Sequence, residues 1–398
     1  MTGQRASSRP ETHRGAPVVD VDLYGDEAVD DPHRVYRRLR DAGPVVWLPR
    51  HGVFAIGRFD DVRMALHDDA TFRSGRGVAA NPLANTLGHY TTLASDDDTH
   101  MTRRMILMQS LTSRAIRPSL PTLEREAAAT VDRLLTHPGF DGIADFATRL
   151  PVQAVAELVG VKVSPEQMLR WGRATFDGLG PTNRRARRSL RGSLGLFLYT
   201  IAIGRRHVTP DGWAATVLDA ADRGDIGRIE AKNMIIDFVA PSLDTTILST
   251  GQLLWSLGTN PDVWSQLRAE PDLIPTAVVE AVRMASPVRV FTRSVATHTE
   301  IGQVHLRPRD RVAVVFAAAN SDERHFDHPE RFSLLRRGSN VGWGHGVHTC
   351  VGMQLAKLEM QTLLRAMVER VETISVSDPI PLRNNCLQGL ESFRASFT

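Results

Sequence analysis

Apolar residues recur every three to four positions along most of the chain, which is the spacing of one face of an α-helix. This pattern predicts helices over residues 32–41, 60–68, 100–109, 122–136, 144–159, 165–178, 186–205, 229–257, 262–268, 275–285 and 351–370. Shorter apolar or alternating runs between turn residues predict strands over residues 45–48, 53–56, 288–295, 301–306, 311–315 and 387–397. The chain is therefore expected to be mainly α with small β-sheets.

The segment from residue 232 to about 257 carries apolar residues on nearly every face, as a helix in the middle of a large protein does. Two residues are unusual there. Pro241 removes a backbone hydrogen bond, and Asp244 places a carboxylate where charge is costly. One interpretation is a single kinked helix with a buried acid beside a functional site. The other is a break between two shorter helices, with Asp244 capping the second.

Length and composition place the chain among ordinary globular proteins. It has 398 residues, of which 42% are apolar, enough for a large core. Residues 1–18 are polar and lack the apolar stretch of a signal peptide, so we expect a disordered tail on a cytoplasmic protein. Residues 19–398 are expected to form one domain. No run approaches the roughly 20 apolar residues that a membrane span needs.

The charge pattern argues against a nucleic-acid partner. The net charge is +3, and the densest basic run, residues 184–191, holds five arginines without an aromatic residue. Such a run is more typical of a solvated helix start. Cys350 and Cys386 are the only cysteines, too few for a disulfide framework or a thiolate zinc site. We expect neither nucleic acid nor a membrane as a partner.

The most specific stretch of the chain surrounds Cys350. It reads Gly-Trp-Gly-His-Gly-Val-His-Thr-Cys-Val-Gly over residues 342–352 and continues into a helical pattern. Gly344 and Gly346 allow a tight loop, and Gly352 leaves room for a flat ligand against the helix. Because the positive end of the helix lies beside the sulfur, Cys350 is expected to be a thiolate. For a cysteine considered alone, a buried structural role is the alternative.

This loop resembles the signature of the cytochrome P450 family: an aromatic residue, Gly, two variable residues, His, one variable residue, Cys, one variable residue and Gly, before a helix with Glu. The matching residues are Trp343, Gly344, His348, Cys350, Gly352 and Glu359. Trp343 stands where Phe is usual, and Lys357 where Arg is more frequent. The resemblance extends from about residue 30 to the C-terminus. It implies a single-domain P450 fold with a long central helix over heme b (iron–protoporphyrin IX), whose iron binds Cys350. Such thiolate ligation favours cleavage of the O–O bond of dioxygen.

The resemblance implies roles for charged residues outside the loop. Glu280 and Arg283 match the family's E-x-x-R pair, which shares one helix face and is expected to reach Arg331 and brace the cysteine loop. The heme propionates need cations or hydrogen-bond donors. The residues that match the family's propionate positions are His100, Arg104, Arg293 and His348. Arg103, next to Arg104, is expected to face solvent.

Residues 241–245, Pro-Ser-Leu-Asp-Thr, resemble the family's oxygen-side motif, Ala/Gly-Gly-x-Asp/Glu-Thr, in the last two positions. The resemblance implies that Asp244 passes protons from solvent and that Thr245 holds water by hydrogen bonding on the oxygen side. Pro241 and Ser242 depart from the family's small residues. Pro241 is expected to open the helix in their place, because it frees a backbone carbonyl one turn earlier.

The resemblance also implies an apolar substrate pocket. Its expected members are Phe176, Ser242, Leu243, Val288, Phe291 and Leu387. Core packing is the alternative for these apolar residues. If the substrate is a benzoate, a cation should stand in the pocket, for which Arg76 and Arg289 are candidates. A neutral phenol needs none.

Local stretches look like the bacterial P450 branch that removes methyl groups from methoxyaromatics such as methoxybenzoates and guaiacols. These stretches are residues 171–176 with Gly180, Pro181 and Asn183, residues 243–247, and Asn384-Asn385 before residues 389–392. The predicted function is a heme-thiolate monooxygenase that inserts one atom of dioxygen into a small aromatic substrate, with O-demethylation as the specific hypothesis.

Electrons are expected from a separate ferredoxin or a flavin or iron–sulfur reductase, which would meet basic residues such as Arg103 and Lys357 on the Cys350 face. One alternative function is a hydroxylase of a terpenoid or other natural-product intermediate. A peroxide-fed enzyme and a non-catalytic heme-binding sensor are further alternatives. The presence of Asp244 and Thr245 argues against the last two.

Overall fold

The computed structural model describes residues 11–398. Helices dominate this part of the chain. They are α1 (Glu27–Asp30), α2 (Pro32–Ala42), α3 (Phe59–His67), α4 (Pro82–Leu87), α5 (Asp97–Leu111), α6 (Ser113–Ile116), α7 (Leu120–Leu135), α8 (Arg149–Val159), α9 (Pro165–Leu179), α10 (Arg184–Ala202), α11 (Trp213–Arg223), α12 (Arg228–Met234), α13 (Ile236–Val239), α14 (Asp244–Gly258), α15 (Pro261–Ala269), α16 (Ile274–Ala285), α17 (Phe316–Asn320) and α18 (Met353–Arg370). A π-helical turn, Gly142–Ala147, precedes α8. Short 3-10 turns lie at Gly88–Tyr90, Arg117–Ser119, Arg205–His207, Pro271–Leu273 and Gly346–His348.

The strands are short and form small sheets. They are β1 (Thr12–His13), β2 (Ala16–Pro17), β3 (Val46–Leu48), β4 (Val53–Ile56), β5 (Phe72–Arg73), β6 (Phe140–Asp141), β7 (Phe291–Val295), β8 (Thr299–Ile301), β9 (Val304–Leu306), β10 (Arg311–Val314), β11 (Ile374–Pro381) and β12 (Leu390–Phe397). The largest sheet has the order β3-β4-β10-β7-β5, in which β10 pairs parallel with β4 and the other pairs are antiparallel. A second sheet has the order β11-β12-β6, and β1-β2 and β8-β9 are hairpins.

The centre of the molecule is a helical core that contains α14 and α16. Most side chains of these two helices are buried, and Leu254 and Leu257 of α14 are fully enclosed. Burial of each such leucine stabilises the fold by about 1.5–3 kcal/mol. The prediction of a mainly α protein with small β-sheets is confirmed. The sequence pattern missed the helices α1, α4, α6, α11 and α17, of which only α11 is longer than six residues, and the strands β1, β2, β5, β6 and β11.

The central helical segment is divided, as the second interpretation of residues 232–257 proposed, but the expectation that Asp244 caps the second helix is wrong. Helix α13 ends at Val239, the chain turns at Pro241, and α14 begins at Asp244. Proline at this position cannot donate the hydrogen bond that would continue α13. Asp244 is the first residue of α14, and Leu243 is its N-cap without a side-chain hydrogen bond. The long central helix therefore consists of α12, α13 and α14.

The N-terminal segment is more ordered than the sequence suggested. The predicted disordered tail covers residues 1–18, of which residues 1–10 lie outside the described residues. Strands β1 and β2 pair around a turn at Gly15, Ala16 is buried, and Val18 bridges to Trp47. For residues 11–18 the expected tail is therefore wrong, because this hairpin packs on the large sheet.

In residues 11–398, no helix combines the length and the apolar character needed to cross a lipid bilayer.

Candidate functional site

A cavity of about 530 Å³ lies between the cysteine loop, which we define as residues 341–352, and the break before α14. The Cys350 side chain lies in one wall of this cavity. Pro241, Ser242 and Thr245 line the opposite wall, and residues of α4 and α10 surround the mouth. The cavity surface is mainly apolar, as expected of a small-molecule site.

The cysteine loop adopts the tight course that its glycines predicted. Gly344 and Gly346 have φ values of +72° and +70°, a region that other residues rarely adopt. A Cβ atom at Gly346 would also lie 2.4 Å from the carbonyl oxygen of Leu66. The loop closes through a hydrogen bond from the Cys350 amide to the carbonyl of Trp343, at 2.8 Å. The sulfur is therefore presented at the start of α18.

For Cys350 the direction of the pKa shift differs from that expected of a thiolate. Burial raises the pKa of the Cys350 thiol, and this effect exceeds the lowering by the amides of Gly352 and Met353 and by the charge of Arg104. The helix start alone therefore does not make the sulfur a thiolate. A metal ion bound by the sulfur would supply the missing stabilisation, since a coordinating thiol is deprotonated.

Glu280 and Arg283 form a buried ion pair behind the loop. Both are 2% exposed, and the Arg283 guanidinium donates to both carboxylate oxygens of Glu280 at 2.8 Å. The third member is Arg336, whose Nε donates to Glu280 Oε1 at 2.8 Å. The prediction of Arg331 for this role is wrong. Its side chain is 72% exposed and lies near Glu330, and it contributes only its backbone carbonyl as an acceptor for Arg336.

The ion pair reaches the cysteine loop through Asn320. Arg283 donates to the Asn320 carbonyl at 2.7 Å, and the Asn320 side-chain oxygen accepts from the Val341 amide at 2.8 Å. The sequence assigned no role to Asn320, because both of its contacts join segments that are distant along the chain. The buried pair thus fixes the backbone that enters the cysteine loop.

Four nitrogen-bearing side chains from three parts of the chain line the cavity near Cys350: His100, Arg104, Arg293 and His348. The rings of His100 and His348 lie 4.1 Å apart, and the Nε2 atom of each is buried without a hydrogen-bond partner among the described residues. Burial lowers the pKa of Arg293 to about 10, and burial together with nearby arginines lowers the pKa of His348. Among residues 11–398 neither arginine of this cluster forms an ion pair with a carboxylate, and buried orphan donors of this kind fit acidic groups such as heme propionates.

Other features of the same wall fit a flat cofactor. Trp343 lines the cavity, and its indole Nε1 is buried and unpartnered within residues 11–398. Gly352 also lines the cavity, next to the Cys350 sulfur. The residues present therefore fit heme, with Cys350 as the available iron ligand.

Arg103 does not face solvent, contrary to the expectation. It is 3% exposed, donates to Glu230 at 2.7 Å and donates to the carbonyls of His89 and Thr91 at 2.9 Å. Position 103 faces the other side of α5 from Arg104, toward the segment that follows α4. Arg103 is therefore a tether for that segment and cannot meet a protein partner.

The break before α14 is stabilised by side-chain hydroxyls. The Thr245 hydroxyl donates to the Pro241 carbonyl at 2.8 Å, and the Ser242 hydroxyl donates to the Phe238 carbonyl. These bonds occupy backbone acceptors that the interrupted helix leaves free. Both hydroxyl-bearing residues line the cavity opposite Cys350.

Asp244 lies on the other side of the helix start, away from the cavity and toward α9. It is 3% exposed, its Oδ1 lies 3.4 Å from Arg173 Nε, and its Oδ2 has no partner among the described residues. Burial raises the pKa of Asp244 to about 7, while Arg173 lowers it and Glu391 raises it. Arg173 also binds Glu391 at 2.6 Å, and both of these side chains are 41% exposed. Ion pairs thus lead from the buried Asp244 through Arg173 to the partly exposed Glu391.

The expected substrate residues divide into two groups. Phe176, Ser242, Val288 and Phe291 line the cavity. Leu243 and Leu387 are 1% exposed, belong to the apolar core and do not line it, so their assignment to the pocket is wrong. The turn at Pro241 directs Leu243 into the core, and Leu387 pairs with Val288 as a backbone bridge.

Neither candidate cation for a benzoate lines this cavity. Arg289 is buried and donates to the carbonyls of Asn385 and Ala28, and Arg76 lines a separate cleft. Asn385 is also structural. It hydrogen-bonds Asp177 and Asn183, and a Cβ atom at Gly180 would lie 2.4 Å from its Cβ. The resemblance around these residues therefore concerns the scaffold beside the pocket.

The chain is similar to known cytochromes P450 along nearly its whole length. A family model described as Cytochrome P450 matches residues 209–390. The cytochrome P450 CYP199A2 of Rhodopseudomonas palustris is 31% identical, covering 98% of this chain and 97% of that protein. The steroid C26-monooxygenase of Rhodococcus jostii is 24% identical, covering 99% of this chain and 87% of that protein.

A solved structure shows the same fold. Cytochrome P450 CYP268A2 of Mycobacterium marinum, in complex with pseudoionone, has a TM-score of 0.85 and 24% identity, covering 98% of this chain and 100% of that one. Together with the fit of the cavity to heme, these similarities establish that the chain belongs to the cytochrome P450 family and is a monooxygenase whose cofactor is heme b.

Proposed function

We propose that this enzyme removes the methyl group of a small methoxyaromatic. One oxygen atom of dioxygen is inserted into a methyl C–H bond, and the other leaves as water after uptake of two electrons and two protons. The hemiacetal so formed loses formaldehyde and leaves a phenol. The observation that carries the proposal is one mainly apolar cavity, which is lined by Cys350, Thr245 and two phenylalanine rings.

Cys350 would hold the iron, and the four propionate residues, His100, Arg104, Arg293 and His348, would bind the acidic edge of the cofactor. Bound heme supplies the activation of dioxygen. Trp343 and Gly352 would lie along the cofactor face on the Cys350 side. This assignment is supported by the unpartnered donors in the cluster and by the braced cysteine loop.

Asp244 and Thr245 would deliver the two protons. The pKa of Asp244, raised by burial to about 7, suits a group that gains and loses a proton near neutral pH. Arg173 and Glu391 lead from Asp244 to solvent. The Thr245 hydroxyl, held by the Pro241 carbonyl, would position water on the cavity side.

The apolar lining supports a flat aromatic substrate. Phe176 and Phe291 can contact a ring by stacking or edge contacts, and Val288 adds an aliphatic surface. Because one cavity must hold both the cofactor and the substrate, a small ring fits better than a polycyclic molecule. Contact on the ring would leave the methoxy group free to point toward the iron, where a misplacement of about 1 Å can cost on the order of a hundredfold in rate.

Electrons would come from a ferredoxin or a flavin or iron–sulfur reductase. Lys357 lies 6.0 Å from the ring centre of Trp343, close to the cysteine loop, while Arg63 and His67 of α3 lie near His345. These basic groups would attract an acidic partner to the Cys350 face.

A spectral titration tests the proposal. Methoxybenzoates, guaiacol, a terpene and a fatty acid would each be added to the heme-loaded enzyme, scored by the blue shift of the heme band, and then assayed for formaldehyde. We expect the shift and formaldehyde from methoxyaromatics. A full shift with the terpene or the fatty acid, and none with any methoxyaromatic, would leave only the general monooxygenase activity.

A further inference from the structure

Asp237 is an acid in the cavity wall that neither heme binding nor proton delivery uses. It belongs to α13, one turn before Pro241, and lines the cavity together with Thr92. Its Oδ2 accepts a hydrogen bond from the Thr92 amide at 2.8 Å. The side chain is only partly buried, so its other oxygen remains available to a ligand.

The titration of Asp237 is set by its surroundings. Burial raises the pKa of Asp237 to about 6, against the lowering effects of the Thr92 hydrogen bonds and of the Arg103 charge. Arg103 itself is engaged by Glu230 and by two backbone carbonyls, so it does not enter the cavity. Near pH 7.5 the carboxylate is mostly ionised.

The other charges of the cavity lie elsewhere. Among its lining residues, Arg104 and Arg293 belong to the propionate cluster, and Arg187 is exposed at the mouth. Solvent screens an exposed arginine, whereas a carboxylate in the wall acts through a medium of lower dielectric constant. Asp237 is therefore the one carboxylate side chain among the described residues that line the cavity.

Resting on the proposed function, we propose that Asp237 selects a neutral methoxyaromatic with a hydrogen-bond donor, a methoxyphenol, and disfavours methoxybenzoates. A phenolic O–H can donate to the free oxygen of the carboxylate, and hydrogen bonds to charged acceptors are the stronger kind. A benzoate would instead place a second negative charge in the same apolar space without a cation to pair it. The neutral member of the two methoxyaromatic classes is therefore the preferred substrate.

Matched ligand pairs test this selection independently of demethylation. The pairs are 3-methoxyphenol with 3-methoxybenzoate and 3-ethylphenol with 3-ethylbenzoate, titrated at pH 7.5 by the blue shift of the heme band. In the wild-type enzyme we expect each phenol to bind about tenfold more tightly than its carboxylate partner. Asp237→Asn keeps the acceptor for the Thr92 amide and should reduce this ratio about tenfold.

Asp177→Asn is the control. Burial raises the pKa of Asp177 to about 6, and it accepts a backbone amide hydrogen bond from Asn385 at 2.9 Å, but it does not line the cavity. The phenol-to-carboxylate ratio of this variant should equal that of the wild type. An equal change in both variants would mean a general effect of the substitution and would overturn the inference.

The remaining outcomes separate the two proposals. Carboxylates that bind as tightly as phenols, or a ratio that Asp237→Asn leaves unchanged, would overturn the role of Asp237, while formaldehyde from 3-methoxybenzoate would still support demethylation. If 3-ethylphenol binds more tightly than 3-ethylbenzoate but neither methoxy compound yields formaldehyde, the demethylation proposal would fail. The role of Asp237 in ligand selection would then still be supported. Absence of a shift with all four ligands would contradict both.

Discussion

The two walls of the cavity are built on different principles. The cysteine loop is held through its own backbone, by amide hydrogen bonds to Asn320 and Trp343, with a buried ion pair behind it. The opposite wall is an interrupted helix whose free carbonyls are taken by the hydroxyls of Ser242 and Thr245. The first arrangement fixes one geometry for a cofactor ligand. The second places hydroxyl-bearing side chains on the cavity surface.

The largest effect should come from breaking the ion pair behind the cysteine loop. Glu280→Gln leaves the Arg283 charge buried and uncompensated, which should lower the free energy of unfolding by about 3–5 kcal/mol. Heme content after purification should fall as well, because Asn320 and the loop backbone depend on Arg283. Urea unfolding and the heme absorbance per protein measure the two effects.

Arg336→Ala and Arg331→Ala sharpen the same test. Removal of Arg336 deprives buried Glu280 of one of its two arginines and should destabilise the protein measurably. Removal of the exposed Arg331 should change the free energy of unfolding by less than about 0.5 kcal/mol. The reverse order of the two effects would restore Arg331 as the bracing residue.

On the opposite wall, Thr245→Ala should spare stability and change chemistry. Heme and substrate binding should persist, while product formed per electron pair falls by at least about tenfold and hydrogen peroxide rises, because the hydroxyl proposed to position water is gone. Thr245→Ser retains the hydroxyl and should retain the coupling. Product, peroxide and reductant consumed would be measured together; unchanged coupling in Thr245→Ala would transfer the role to Ser242.

A smaller effect concerns the pH dependence of turnover. Because Arg173 lowers the pKa of Asp244, Arg173→Ala should move the corresponding limb of the pH–rate profile upward from about pH 7. Because Glu391 raises that pKa, Glu391→Gln should move the limb downward. Each displacement should be on the order of half a unit to one unit. Shifts in the same direction would exclude Asp244 as the titrating group.

The same raised pKa has a consequence for stability. The folded state holds the Asp244 proton more tightly than the unfolded chain, whose pKa is near the ordinary 3.8. The contribution of this proton to the free energy of unfolding is therefore complete below about pH 4 and is lost as the pH rises through about 7. Asp244→Asn should flatten the unfolding free energy over that range.

The wall that the sequence predicted best is the one determined by local chemistry. The left-handed conformations of Gly344 and Gly346 and the start of α18 next to Cys350 follow from neighbouring residue types. The location of the propionate residues in one cluster agrees with the family resemblance, and their role as ligands stays a prediction. The cytoplasmic location also stays a prediction.

The residues that the sequence misplaced depend on long-range packing. Arg331 and Arg336 are five positions apart, and only the fold determines which one turns toward Glu280. Leu243 was assigned to the pocket from the family resemblance, but it packs in the apolar core. Asp237, one turn before Pro241, lies on the cavity wall. The sequence shows an acid one turn before the proline in an apolar run, but it does not show that this residue lines a cavity.

The central claim is that Cys350 is the ligand of the heme iron. The most direct measurement is the absorbance spectrum of the reduced, carbon-monoxide-bound protein for the wild type, Cys350→His and Cys386→Ser. The account predicts the long-wavelength Soret band of thiolate ligation in the wild type and in Cys386→Ser, where the buried thiol lies outside the cavity, and its loss in Cys350→His. A band that survives in Cys350→His and disappears in Cys386→Ser would contradict the account.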